Sequence, residues 1–322
     1  YRPAMSTELE ACLPIELRGP GTTIARIAAG LSGAGVYRVE AAGRAYVLKV
    51  AAPQEPLEGW RVRIDIQRAA ADACVAPRVV HVDETRHAVV TELVADRSLV
   101  ARFVDPATRA AAIGAALRRV HALPIPDGAV ARDPRAFLAT IWAGLAGFPL
   151  PAWVGDVVRC ALDESPPPSD RAAVLSHNDV NPSNLVYDGD RVLFLDWDTA
   201  GANDPLYDLA AVAVFLRLDD ATSATLIAAH DQAPVAAPLP ARFDYLRRLV
   251  AALCGTLFLH VARASGHAGA SGPETIDLVP TLADVYGGMR GGAIDPRTPD
   301  GQWQFGQALL KASALVHPRD AS

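Results

Sequence analysis

The 322-residue chain predicts an α+β fold in which a small sheet-rich part precedes a larger, mainly helical part. Three observations carry this reading. From about Thr22 to Val94 apolar residues recur with the two-residue period of strands. Beyond Ala95 the chain falls into helix-length segments bounded by caps and prolines. One strand–turn–strand island, Leu175 to Leu195, interrupts that helical part. A hydrophobic content of 51% is enough to bury a large core, which excludes global disorder.

In order, Val36–Ala41 and Arg44–Val50 flank Ala42-Gly43 and read as a hairpin. Tyr46, Leu48 and Val50 share one face of the second strand, Val47 and Lys49 the other. A helix is expected from Trp60 to Ala73, ending before Pro77, followed by strands at Arg78–Val82 and His87–Leu93. Asp105-Pro106 places an N-cap before a first-turn proline and opens a helix to about His121. Further helices are expected at 134–147, 151–164, 206–217, 222–231, 240–265 and 302–315, with Gly266–Gly272 as a loop.

Composition narrows the function. A net charge of −6 argues against a nucleic-acid partner. Cys12, Cys74, Cys160 and Cys254 lie far apart with no C-x-x-C, which suits reduced thiols and no zinc site. The longest apolar run, Leu249–Val261, falls short of the roughly 20 residues of a spanning helix. The chain opens Tyr1-Arg2-Pro3-Ala4-Met5, without a charged-then-apolar leader, so a cytoplasmic location without membrane insertion is expected.

The island holds the chemistry. His177-Asn178-Asp179-Val180-Asn181-Pro182-Ser183-Asn184 leads into a hairpin turning at Asp188-Gly189-Asp190, and the return strand ends at Asp196-Trp197-Asp198. Asp179, Asn184 and Asp196 can then converge on one point. One carboxylate to take a hydroxyl proton, with an amide oxygen and a second carboxylate to hold Mg²⁺, is the set that phosphoryl transfer from ATP requires.

H-x-D-x-x-x-x-N, a hairpin and L-D-W-D resemble the aminoglycoside phosphotransferase and choline kinase superfamily, small-molecule kinases of protein-kinase-like, two-lobed fold. The continuation through Gly201-Ala202-Asn203-Asp204-Pro205 to Asp208-Leu209-Ala210 is similar to its choline-kinase-like branch. The resemblance implies that Asp179 is the catalytic base, that Asn184 and Asp196 bind magnesium, and that His177 is a structural support. It also implies a nucleotide-binding lobe over residues 6–93 and a catalytic, substrate-binding lobe over 94–322. Asp198 belongs with the supporting residues; Asp204 fits a helix cap and Asp208 a loop anchor.

Gly30-Leu31-Ser32-Gly33-Ala34-Gly35 resembles the family's phosphate loop, which assigns Ser32, Gly33 and Ala34 to the nucleotide. It lacks the G-K-[ST] of a Walker loop. Lys49 stands where a kinase fold pairs the phosphates. Of 30 basic residues only Lys49 and Lys311 are lysine, which makes a lysine at that place informative. Its helix partner is open among Asp65, Glu55 and Glu58. Val89–Val94 resembles the family's hinge, pointing to the Glu92 carbonyl and Val94 N–H for adenine. Leu117–Pro124 is similar to the family's L-x-x-L-H-x-L-P helix end, where His121 packs.

Asp204 follows Asp196 by only eight positions, too few for a peptide-binding platform, so a small hydroxyl acceptor is expected. An amino alcohol such as choline would need aromatic faces, for which Trp142, Trp153, Tyr245, Tyr286, Trp303 and Phe305 are available. An antibiotic acceptor is the alternative; a non-catalytic nucleotide-binding regulator is the alternative of another class. A dehydrogenase is disfavoured because no βαβ unit carries the glycines.

Overall fold

Period-two hydrophobicity in the N-terminal third builds a five-stranded antiparallel sheet, in the computed structural model of the protein, which describes residues 8–27, 34–270 and 275–315. The strands are β1 (Thr23–Arg26), β2 (Gly35–Ala41), β3 (Arg44–Val50), β4 (Val79–Asp83) and β5 (Ala88–Glu92), in spatial order β1-β2-β3-β5-β4. Ala42 and Gly43, at φ 50° and 73°, make the two-residue turn between β2 and β3. One sheet face buries Val39, Ala41, Tyr46, Leu48, Ala88 and Val90 against Cys12, Leu13 and Leu17. Removing such a side chain from water is worth about 1.5–3 kcal/mol. The other face packs Val89 against Trp60 and Ile64 of α1 (Leu57–Asp72). Lys49 is the cross-strand partner of Val89, so it lies on the α1 face.

Two compact units divide the chain. The first holds the described residues up to Val130 together with Val174–Ala202 and Ala229–Asp231. Besides the sheet and α1 it contains α2 (Leu99–Arg102), α3 (Pro106–His121), β6 (Val174–Ser176), β7 (Leu185–Tyr187) and β8 (Val192–Phe194). β7 and β8 form the island's hairpin, while β6 pairs with β9 (Gly201–Asn203). Asp105 caps α3 by accepting from the Thr108 N–H at 2.9 Å. At its other end His121 Nδ1 lies 2.8 Å from His230 Nε2, whose Nδ1 meets Asp231 at 2.7 Å.

The second unit is helical: α4 (Pro134–Gly144), α5 (Ala152–Asp163), α6 (Pro205–Leu216), most of α7 (Asp220–Asp231), α8 (Ala241–Ala264), α9 (Leu282–Arg290) and α10 (Pro299–Leu315). α8 runs through its core and crosses α10 where Gly255 meets Gly306. By length and composition the 24-residue α8 could cross a membrane, but 67% of its apolar window is buried within the protein, the setting of a core helix. α1 begins at Leu57, a turn earlier than its apolar pattern suggests, with Pro56 at the cap. α9 is absent from the sequence reading; Thr281 and Asp284 form a capping box that starts it.

Candidate active site

Two residues in the left-handed region shape the loop. Asn178 (φ 66°) and Asp196 (φ 60°) adopt a conformation that Asn and Asp tolerate better than most side chains. From there the Asn178 amide donates to the carbonyls of Ser176 (3.1 Å), Thr199 (3.1 Å) and Gly201 (3.3 Å), clipping the loop to the turn beyond β8. His177 is fully buried. Its Nε2–H donates to the Leu195 carbonyl at 2.9 Å and its Nδ1 accepts from the Asp179 N–H at 3.3 Å, a pairing that the neutral ring satisfies. The same ring meets Trp197 edge-on at 4.8 Å.

Asp179 is held by two amides. Asn181 Nδ2 donates to Oδ1 at 2.9 Å, and Asn184 Nδ2 donates to Oδ2 at 2.8 Å and to the Asp179 carbonyl at 2.9 Å. The Leu195 N–H bonds the Asn184 carbonyl at 2.9 Å, which ties the loop to the end of β8 immediately before Asp196. Burial pushes the Asp179 carboxyl above its ordinary range, and the charge of nearby Asp196 adds to the push. Partial burial acts the same way on Asp196, but the charge and hydrogen bond of Lys49 outweigh it and hold that carboxyl below its ordinary range.

Lys49 Nζ lies 2.7 Å from Asp196 Oδ1 and 2.6 Å from Asp198 Oδ2. No carboxylate proposed for it on or just before α1 serves it: Asp65 pairs with Arg68 at 3.7 Å, Glu55 forms an ion pair with Arg63, and Glu58 is exposed. Asp198 therefore has a definite task as partner of Lys49. Asp179, Asn184, Asp196, Asp198 and Lys49 thus form one cluster within the first unit.

The remaining expected residues are dispersed around this cluster or elsewhere. Ala34 is buried and lines the same small cavity as Lys49; Ser32 and Gly33 lie outside the described residues. At the end of β5 the Glu92 N–H donates to the Arg78 carbonyl at 3.0 Å, and its side chain pairs with Arg78 at 2.7 Å. Just past Val94, Asp96 Oδ1 accepts from the Tyr187 N–H at 3.1 Å, which fastens this link to β7. Asp204 caps α6 by accepting from the Leu206 N–H at 2.9 Å and pairs with Arg242 at 2.9 Å; Asp208 is fully buried on α6. Both belong to the second unit.

In that unit Tyr286 and Phe305 meet edge-on at 5.7 Å, with the Arg217 guanidinium 5.5 Å from the Tyr286 ring. Trp303 stacks on His267 at 4.4 Å, and Arg242 lies over Tyr245. Sequence reasoning missed Asn178, Asn181 and Arg63. The first two carried a signal, since Asn is the residue for a left-handed loop position and for a short cap. Arg63 carried none in a chain so rich in arginine.

The donor set suits a hard divalent cation. Asn184 commits its NH₂ to Asp179, so its carbonyl oxygen is the end that can ligate, and the Asp196 carboxylate is already positioned against a cation. Among the described residues no group of three His, Cys, Asp or Glu side chains forms a metal cage. Magnesium needs none, because waters and phosphates complete its shell.

A family model described as the phosphotransferase enzyme family matches residues 23–249. Protein LicA of Haemophilus influenzae is 47% identical over 36 residues, 11% of this chain; the match spans only 14% of that relative's length. A choline/ethanolamine kinase family protein from Mesorhizobium loti superposes with a TM-score of 0.61 at 24% identity, covering 97% of this chain and 99% of that one. An aminoglycoside-3′-phosphotransferase of type VIII superposes at 0.53 with 23% identity, covering 73% and 95%. These likenesses show an α+β, protein-kinase-like fold, with the antiparallel sheet towards the N-terminus and a larger helical part after it.

Proposed function

We propose that the chain, which belongs to the phosphotransferase enzyme family, is a small-molecule kinase acting on a hydroxyl group, with ATP and Mg²⁺ as its phosphoryl donor and an amino alcohol as its acceptor. The observation that carries the reading is Asp179, fixed by two amide donors at 2.8 and 2.9 Å in one cluster with a lysine-bound Asp196. A carboxylate so fixed can accept the proton of an attacking hydroxyl, a role typically worth 10²- to 10⁴-fold. Asn184 and Asp196 would hold the metal, and Lys49 would pair the phosphates. Bound there, Mg²⁺ would supply positive charge against the phosphates.

Ser32, Gly33 and Ala34 would cover the phosphates, and the Glu92 carbonyl and Val94 N–H would bond the adenine. In this reading residues 6–93 bind nucleotide and residues 94–322 carry catalysis and the acceptor, with His177, Asp198, Asp204 and Asp208 supporting. The amino-alcohol preference is supported by the choline-kinase-like form of residues 196–210 and by the Mesorhizobium loti structure. The likeness to an aminoglycoside phosphotransferase supports an antibiotic acceptor as the second reading.

ADP release measured with amino alcohols, sugars and aminoglycosides tests both. Turnover with an amino alcohol is expected, and Asp179→Ala should lower kcat by about 10²- to 10⁴-fold. Turnover restricted to aminoglycosides would replace the acceptor assignment. Mg·ATP binding without turnover on any acceptor, unchanged in Asp179→Ala, would favour a regulator.

A further inference from the structure

A flexible lysine stem needs a fixed anion to aim it, and in kinase folds a helix glutamate provides one. Here α1 turns a cation inward. Arg63 forms an ion pair with Glu55, and its Nε lies 3.9 Å from Asp198 Oδ1, while Asp198 Oδ2 is bound to Lys49 at 2.6 Å. The four side chains form a chain of alternating charge, Glu55–Arg63–Asp198–Lys49, each member partly shielded from water. Lys49, Glu55, Arg63 and Asp198 also line a small cavity of about 30 Å³ with Trp60 and Trp197, room for about one water.

From this geometry we infer that Arg63 is a positioning residue for Lys49, acting through Asp198. The inference rests on the kinase reading above and deepens it. Asp198 stands two residues from Asp196, which Lys49 also binds, at 2.7 Å. Arg63 approaches Oδ1 of Asp198, while Lys49 binds Oδ2, so the carboxylate is held from both oxygens. Its forked guanidinium can serve Glu55 and Asp198 together, which a lysine ammonium on a single stem does poorly. The carboxylate that aims Lys49 thus comes from the turn after β8, and α1 contributes the cation that holds it.

The test is Mg·ATP affinity by titration calorimetry, with kcat and both KM values, for wild type, Arg63→Gln, Arg63→Lys, Asp198→Asn and the Arg63→Gln/Asp198→Asn double variant. Arg63→Gln and Asp198→Asn should each weaken Mg·ATP binding by ~10-fold or more, with the acceptor KM unchanged. Because one residue acts through the other, the double variant should bind no more weakly than Asp198→Asn alone. Arg63→Lys should recover part of the loss. Multiplying effects in the double variant, or wild-type affinity in Arg63→Gln, would overturn the inference and leave the kinase reading standing. Absence of Mg·ATP binding by the wild type would overturn both. If Arg63→Gln does not fold, Arg63→Lys carries the test, and wild-type affinity there is equally fatal.

Discussion

Asp179 and Asp196 share a site but are pushed in opposite directions. Burial raises the Asp179 carboxyl, whereas Lys49 lowers Asp196 against its own partial burial. The proton-accepting form of Asp179 therefore forms only above a pH higher than the ordinary carboxylate value of about 4. kcat/KM should rise with pH along an acid limb whose midpoint lies above that value, as a pH–rate profile will read. A limb centred below it would remove Asp179 from the role. For stability the signs are opposite. A raised carboxyl favours the fold below its unfolded pKa, and that contribution is lost as pH rises through the folded one. A lowered one, Asp196, favours the fold above its unfolded pKa, and that contribution is lost as pH falls through the folded one. Asp179→Asn is not a silent probe of this balance. Its single carbonyl can satisfy only one of the two amide donors now bound to the carboxylate.

Helix packing sets the next scale. At the crossing of α8 and α10 a Cβ on Gly306 would lie 2.9 Å from the Gly255 carbonyl oxygen, and one on Gly255 would lie 2.8 Å from that of Gly306. Neither backbone atom can move without shifting a helix. Gly306→Ala should cost about 1–3 kcal/mol, read as a lower denaturant midpoint; an unchanged midpoint would show that the crossing is looser than its geometry. How legible such elements are in sequence depends on whether their cause is local. The hairpin of β2 and β3, the cap at Asp105 and the loop 177–184 declare themselves through turn, cap and motif residues. α9 does not, because Gly287 and Gly288 lower its helix propensity, and its capping box is spelled with Asp instead of Glu. The partner of Lys49 was equally hidden. It sits 149 residues away, and no local rule reaches that far.

On the scale of the whole chain, the residues that would hold nucleotide and metal in the proposed reaction belong to the first unit, and the helical packing around α8 belongs to the second. Mg·ATP at about 100 times its Kd should add ~2.7 kcal/mol to the stability of the folded state it binds. Scanning calorimetry should show the transition that includes the first unit moving to higher temperature; no movement would contradict nucleotide binding. A second, more local readout is already built in. Trp197, which stands between Asp196 and Asp198 in sequence, is buried, its indole N–H bonded to the Phe194 carbonyl at 3.0 Å and its ring against the His177 imidazole. Of the five tryptophans it alone adjoins Asp196 and Asp198 in the chain. An optical experiment that retains this one indole and replaces the other four would follow events at the carboxylates by intrinsic emission, with no dye attached and no acceptor yet identified.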